Sequence, residues 1–298
     1  MKNMIDKTYN EKRFIFLKSS HSNLQALQKQ FNLDPIIFQQ SKSSVEVARF
    51  LPLTKTNLKD AHLLVSLDLK DSAAPIEQQL FPTIIIFNSN HLIICGTSII
   101  NQLPDLTPQS EIIDFIFKAL LIQASHFEEC MTKIKKEIDR LNEVARTTTS
   151  TKALRELCDL THDIVYIKHT MSDQTETLTA FLDYCKDNNL SSSILLSQVH
   201  IEQRRLNKMI NVYEDLLNSV SGLFSAMMDS HLNHLMKYLD TMALIISIPA
   251  LIGGLWGMNV GGIPGKTSSW GFIGVLVICL ISVIISGLYL RKKKYLTD

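Results

Sequence analysis

The groups in this 298-residue chain whose types and spacing could do chemistry are few. Leu255-Trp256-Gly257-Met258-Asn259 sets a glycine, a thioether and a carboxamide between two apolar segments. Read alone, it is a helix end with an Asn cap and a turn. His231 and His234, three apart with Asp229 nearby, have a spacing that could hold metal, but the reading favoured is solvated stalk residues. His126, Glu129 and Cys130 share one helical face, but no fourth ligand is evident, which favours a structural role. Met227, Met228 and Met236 are packing residues by type. There is no Gly-rich phosphate loop, no nucleophile elbow and no paired His ligands in the first hundred residues. The expectation is a protein that is not an enzyme and holds no cofactor.

The elements that must position these groups are apolar helices. Residues 241–255 carry no charge, and neither do residues 270–290. The second run is about twenty residues, enough to cross a hydrocarbon core; the first becomes long enough if its helix spans 239–258. Joined by a short polar loop, they make a transmembrane hairpin. Trp256 and Trp270 mark its inner edges, where indoles prefer the interface. Arg291, Lys292, Lys293 and Lys294 follow at once, and basic flanks stay in the cytoplasm. Both termini are therefore expected inside a plasma membrane, with membrane lipid as a partner. Residues 1–13 are polar and do not read as a signal peptide. A net charge of +1 gives no basic bias toward nucleic acid. Cys95, Cys130, Cys158, Cys185 and Cys279 form no CxxC and read as reduced, mostly buried thiols.

The fold class expected is α+β with a membrane part. Residues 1–107 read as a cytoplasmic α/β domain, a small mixed sheet flanked by helices. Strand candidates are 13–17, 45–53 and 62–69; helices are expected over 23–31 and after Asp34-Pro35. Two β-branched runs around Asn88-Ser89-Asn90 read as a hairpin over 83–96. Residues 108–238 read as a long-helix stalk: one helix over 109–144, a break at 146–151, a second over 152–186 and a third from about 191. Ile112, Ile113, Phe115, Ile116, Leu120, Ile134, Ile138 and Leu141 give the first its seam; Leu206, Ile210, Tyr213, Leu217, Val220, Phe224 and Met227 give the third its own. Unbroken to residue 258, the third helix would be about 100 Å long and continuous with the first span. Residues 239–298 are the hairpin and basic tail.

That layout resembles the CorA family of divalent metal ion transporters. Asn233-His234-Leu235-Met236-Lys237 is similar to the family's Asn-x-x-Met-Lys, and Gly257-Met258-Asn259 to its signature. The resemblance implies a homopentamer with the first spans around a pore, the second spans outside, and a cytoplasmic funnel. It implies that Asn259, with Gly257 and Met258, forms the outer mouth and meets a hydrated ion. Mg²⁺ holds its waters tightly, so neutral acceptors that contact those waters suit it. Stepping inward by three or four gives Gly254, Ala250, Ser247, Ala243, Asp240, Met236 and Asn233, a pore-facing stripe. Met236 and Leu239 are candidates for an apolar gate.

Two features depart from the family pattern. The outer loop has no carboxylate and carries Lys266, and Val260-Gly261-Gly262-Ile263-Pro264-Gly265 is similar to the loop of the zinc-transporting branch. Ser247 is polar where an apolar gate residue is expected. The leading expectation is passive influx of Mg²⁺, with Co²⁺, Ni²⁺ and Zn²⁺ as further cargo. It would be gated by cytoplasmic Mg²⁺ held between subunits by acidic residues such as Asp68, Asp71, Asp183 and Asp187. The alternatives are a proton-coupled Zn²⁺ carrier of the same fold and a membrane-anchored scaffold without transport.

Overall fold

The computed structural model describes residues 4–17, 21–39, 46–70, 74–96, 99–103, 105–107, 111–148, 150–190, 193–262, 265 and 268–292. It divides into two compact units, Met1–Ser221 and Gly222–Asp298.

In the first unit, strands β1 (Met4–Tyr9), β2 (Lys12–Leu17), β3 (Arg49–Leu53), β4 (Ala61–Leu69), β5 (Leu80–Phe87) and β6 (His91–Cys95) form one sheet in the order β1-β2-β6-β5-β4-β3. The β2–β6 pair is parallel and the others antiparallel. The central strands are continuous apolar runs because both faces are covered. One face, with Ile15, Leu63, Val65, Ile84, Ile86 and Ile93, packs on Leu24, Leu27 and Phe31 of α1 (His21–Phe31) and on α2 (Ile36–Gln39). The other, with Phe14, Phe16, Leu64, Ile85 and Ile94, packs on two long helices, α4 (Ile112–Thr147) and α5 (Thr151–Asp187). The Phe16 and Phe115 rings stack at 5.5 Å, and Phe181 of α5 meets Phe87 edge-on at 5.8 Å. A one-turn helix, α3 (Ile76–Gln79), precedes β5.

The expected hairpin forms as β5–β6. Asn88 Oδ1 accepts hydrogen bonds from the amides of Asn90 and His91, which closes the turn. The strand expected over 45–53 begins later, at Arg49. β1 was not expected; it reaches β2 through Asn10 and Glu11, both at positive φ.

The long helices fall where periodicity put them, and Thr148 Oγ1 accepts the Ser150 amide where the chain turns from α4 to α5. The third, α6 (Ser193–Trp256), is one helix of 64 residues, about 95 Å long. In the first unit its buried residues Val199, Leu206, Ile210, Leu217 and Val220 recur at helical spacing. Gln203 and Asn207 both donate to Thr175 Oγ1 of α5 at 2.9 Å, and Lys168 pairs with Glu214 at 2.7 Å.

In the second unit, α6 packs beside the last helix, α7 (Ser269–Lys292). Within these two lie two stretches long and apolar enough to cross a membrane, and almost none of their surface is buried. So much exposed apolar helix is not the core of a water-soluble unit; it requires lipid or further copies of the helices.

Candidate functional site

The hairpin orients α6. Its half-buried residues in the apolar part are Ile245, Ile248, Pro249, Ile252 and Trp256. On α7 the corresponding set is Gly271, Val275, Cys279, Ser282, Ser286, Gly287 and Leu290. Cys279 Sγ lies 3.9 Å from the carbonyl oxygen of Pro249, where the two helices meet.

At about 100° per residue, the α7-facing set of α6 clusters around one direction, and Met236, Ala243, Ser247, Ala250 and Gly254 cluster about 180° from it. Asp240, Leu239 and Asn233 lie roughly 40–60° to either side of that stripe. All eight are exposed in the chain. Met236 and Leu239 are 62% and 64% exposed, which for large apolar side chains marks a surface that needs a partner. Ser247 Oγ donates to the carbonyl of Leu244 at 3.1 Å, so its hydroxyl is partly satisfied by its own helix.

The helix ends at the signature. The Gly257 amide closes the last turn on the Gly253 carbonyl at 2.9 Å, and the Met258 amide reaches the Leu255 carbonyl at 3.3 Å. Gly257 is the first residue past the helix, and among the described residues the positive-φ glycines are Gly262 and Gly265. A Cβ at Gly257 would sit 3.2 Å from the Gly253 oxygen, the acceptor of its own amide. Met258 and Asn259 follow outside the helix, both exposed. A side chain at Gly265 would meet the Trp256 ring at 3.3 Å, so this part of the loop packs closely on the indole. Trp270 is 81% exposed at the start of α7. Ile263, Pro264, Lys266, Lys293 and Lys294 lie outside the described residues.

The other sequence candidates separate from this site. His231 and His234 are exposed on α6, roughly on the α7 side of the helix wheel and away from the stripe. His126 is engaged structurally, with Nδ1 at 2.8 Å from Asp68 and Nε2 at 3.0 Å from Gln102 Oε1. Burial pushes the Cys130 thiol up to about 11. Among the described residues no group of three His, Cys, Asp or Glu is placed to hold a metal. Asp68 was a candidate for metal held between subunits; it is 0% exposed, so it does not reach a surface. Asp183 and Asp187 of α5 are exposed, and Asp71 lies outside the described residues. Sequence reasoning missed the Cys279–Pro249 contact, because a lone cysteine in an apolar run carries no local signal.

Comparison with known proteins agrees with this layout. A magnesium transport protein CorA of Helicobacter pylori is 24% identical over 212 residues, 62% of this chain and 65% of that one. This chain thus spans about two thirds of that relative's length. A zinc transport protein ZntB of Yersinia enterocolitica is 29% identical over 89 residues, 28% of this chain and 27% of that one. The complete structure of the CorA magnesium transporter of Methanocaldococcus jannaschii superposes with a TM-score of 0.79 at 15% identity, covering 96% of this chain and 92% of that one, so the fold is shared. The family model described as "CorA-like Mg2+ transporter protein" matches residues 13–292. From its sheet to its last helix, this chain belongs to the CorA-like Mg²⁺ transporter family.

Proposed function

We propose that the chain is the subunit of a homopentameric divalent-cation channel. Five copies of α6 surround a water-filled passage, and α7 faces lipid outside them. The observation that carries this reading is the disposition of α6. Its α7-facing side is apolar, whereas the opposite, exposed side holds Gly254, Ala250, Ser247, Ala243, Asp240, Met236 and Asn233. A side chain set so small and polar is poor packing for lipid and good lining for water.

Asn259 rings the outer entrance and accepts hydrogen bonds from the water shell of Mg²⁺, whose dehydration is costly. Gly257 shapes the helix end beneath it, and Met258 packs. Leu239 and Met236 narrow the passage near its inner end and close it by dewetting. Asp240 is the one carboxylate between residues 230 and 297. Counting down both helices from the Cys279–Pro249 contact sets Lys237 level with Arg291, and Asp240 lies about 4–5 Å to the membrane side. A carboxylate at that depth belongs beside water and cations. An inside-negative potential drives entry: a doubly charged ion gains about 4.6 kcal/mol per 100 mV. Cytoplasmic Mg²⁺ bound between subunits holds the channel shut, with Asp183 and Asp187 among the available exposed carboxylates.

A proton-coupled Zn²⁺ carrier is the second reading. The similarity to a zinc transport protein and the carboxylate-free outer loop favour it. Metal-resolved uptake into sealed proteoliposomes separates the readings, using wild type beside Asn259→Ala, with and without a pH gradient. The channel predicts Mg²⁺ entry driven by voltage alone and reduced about tenfold or more by Asn259→Ala, the loss of roughly one or two hydrogen bonds per ion. Uptake of Zn²⁺ that requires the pH gradient selects the carrier. No uptake of any divalent ion contradicts both and leaves a membrane-anchored scaffold.

A further inference from the structure

The first unit holds a titratable contact that ion conduction does not use. Asp68 stands near the end of β4, its carboxylate wholly buried. Its Oδ1 accepts the amide of Leu69 at 2.8 Å and faces Nδ1 of His126 on α4, also at 2.8 Å. The other ring nitrogen of His126 faces Oε1 of Gln102 at 3.0 Å. Gln102 follows the short 3₁₀ turn Ile99–Asn101, in the segment that carries the chain from β6 to α4. One imidazole thus touches a strand, a turn and its own helix.

Both ring nitrogens meet oxygens, and that arrangement distinguishes protonation states. The imidazolium donates to Asp68 and Gln102 together, whereas a neutral ring has one N–H and can donate to only one of them. The neighbouring contacts are less sensitive to protons. Ser66, two residues before Asp68, donates to Gln123 of α4 at 2.9 Å, and both are neutral.

We propose that Asp68, His126 and Gln102 form a proton-operated latch that fastens α4 to β4 and to the turn after β6. With His126 charged the latch is closed. When His126 loses its proton, the β4–α4 contact weakens and residues 99–103 loosen.

Among the described residues the charged groups facing the ring are Asp68 from β4 and Glu129 from the next turn of α4; Gln102, from the turn, is neutral. The Asp68 hydrogen bond, and then the charges of Asp68 and Glu129, raise the His126 pKa above its ordinary 6.5, although burial opposes them. A histidine whose pKa rises on folding stabilises the fold fully below about pH 6.5. That stabilisation is lost as pH climbs through the higher folded-state value.

The test uses the full chain in detergent or nanodiscs. Thermal unfolding is followed from pH 5.5 to 9 for wild type, His126→Gln and Asp68→Asn. Glutamine keeps a donor but cannot take a charge; asparagine keeps the shape of Asp68 without its charge. Wild type is expected to lose about 2–4 °C more than either variant as pH rises through the window. Hydrogen exchange at residues 99–103, corrected for its intrinsic pH dependence, is expected to quicken in wild type over the same range and to stay flat in either variant that folds. If the variants follow the wild-type pH curve in parallel, the latch does not exist. If both fail to fold, the wild-type exchange decides: no quickening at 99–103 overturns the proposal.

Discussion

The thiol of Cys279 lies 3.9 Å from the carbonyl oxygen of Pro249, at the middle of the apolar hairpin. Proline has no N–H, so α6 lacks one rung of its ladder at this level. A small residue opposite allows α7 to come close there. The contact marks which side of α6 is occupied and so which side is left exposed. Cys279→Ala is expected to be tolerated. Cys279→Phe overpacks the contact and should destabilise the hairpin by about 1–3 kcal/mol. Thermal unfolding of the purified protein in detergent checks it, read as a lower melting temperature for the Phe variant alone.

Asp240 is exposed on α6, beside the stripe proposed to line the passage. Its removal should weaken attraction for the ion, leaving the outer mouth intact. Asp240→Asn is expected to raise the concentration for half-maximal uptake about tenfold, equivalent to about 1.4 kcal/mol. Asp240→Glu should stay near wild type. Concentration-dependent uptake of Mg²⁺ or Mn²⁺ into vesicles measures both. An Asn variant with unchanged concentration dependence would take Asp240 out of the ion path.

The cysteines of the first unit should behave unequally. Burial pushes Cys95 and Cys185 up to about 12 and Cys130 up to about 11, so at neutral pH they are protonated as well as covered. Cys158 is exposed on α5. A water-soluble maleimide at pH 7.5 is expected to label Cys158 in the native protein and to reach the other three after unfolding. Peptide mapping by mass spectrometry identifies the labelled sites.

Much of this architecture was legible because its signals are periodic. The seams of α4 and α6 repeat every three or four residues over many turns, and all eight named seam residues of α4 are buried. The hairpin over β5–β6 announced itself through Asn88 and two β-branched runs. β1 did not: it lies at the sheet's edge with largely exposed residues, and its turn uses Asn10-Glu11 at positive φ without a glycine. The stripe from Asn233 to Gly254 could be counted from the sequence, but its direction could not. Only the packing of Ile245, Ile248, Pro249, Ile252 and Trp256 against α7 fixes which side of α6 is left over.

Which side of α6 meets water is the central claim, and substituted-cysteine accessibility tests it most directly. Ser247→Cys and Gly254→Cys stand on the stripe; Ile252→Cys stands on the α7 side. Each is treated in sealed vesicles with a membrane-impermeant charged thiol reagent, and divalent uptake is followed against treated wild type. The account predicts that the reagent stops uptake through the Ser247→Cys and Gly254→Cys proteins and leaves Ile252→Cys and wild type unaffected. Modification of Ile252→Cys with the two stripe positions untouched would contradict it.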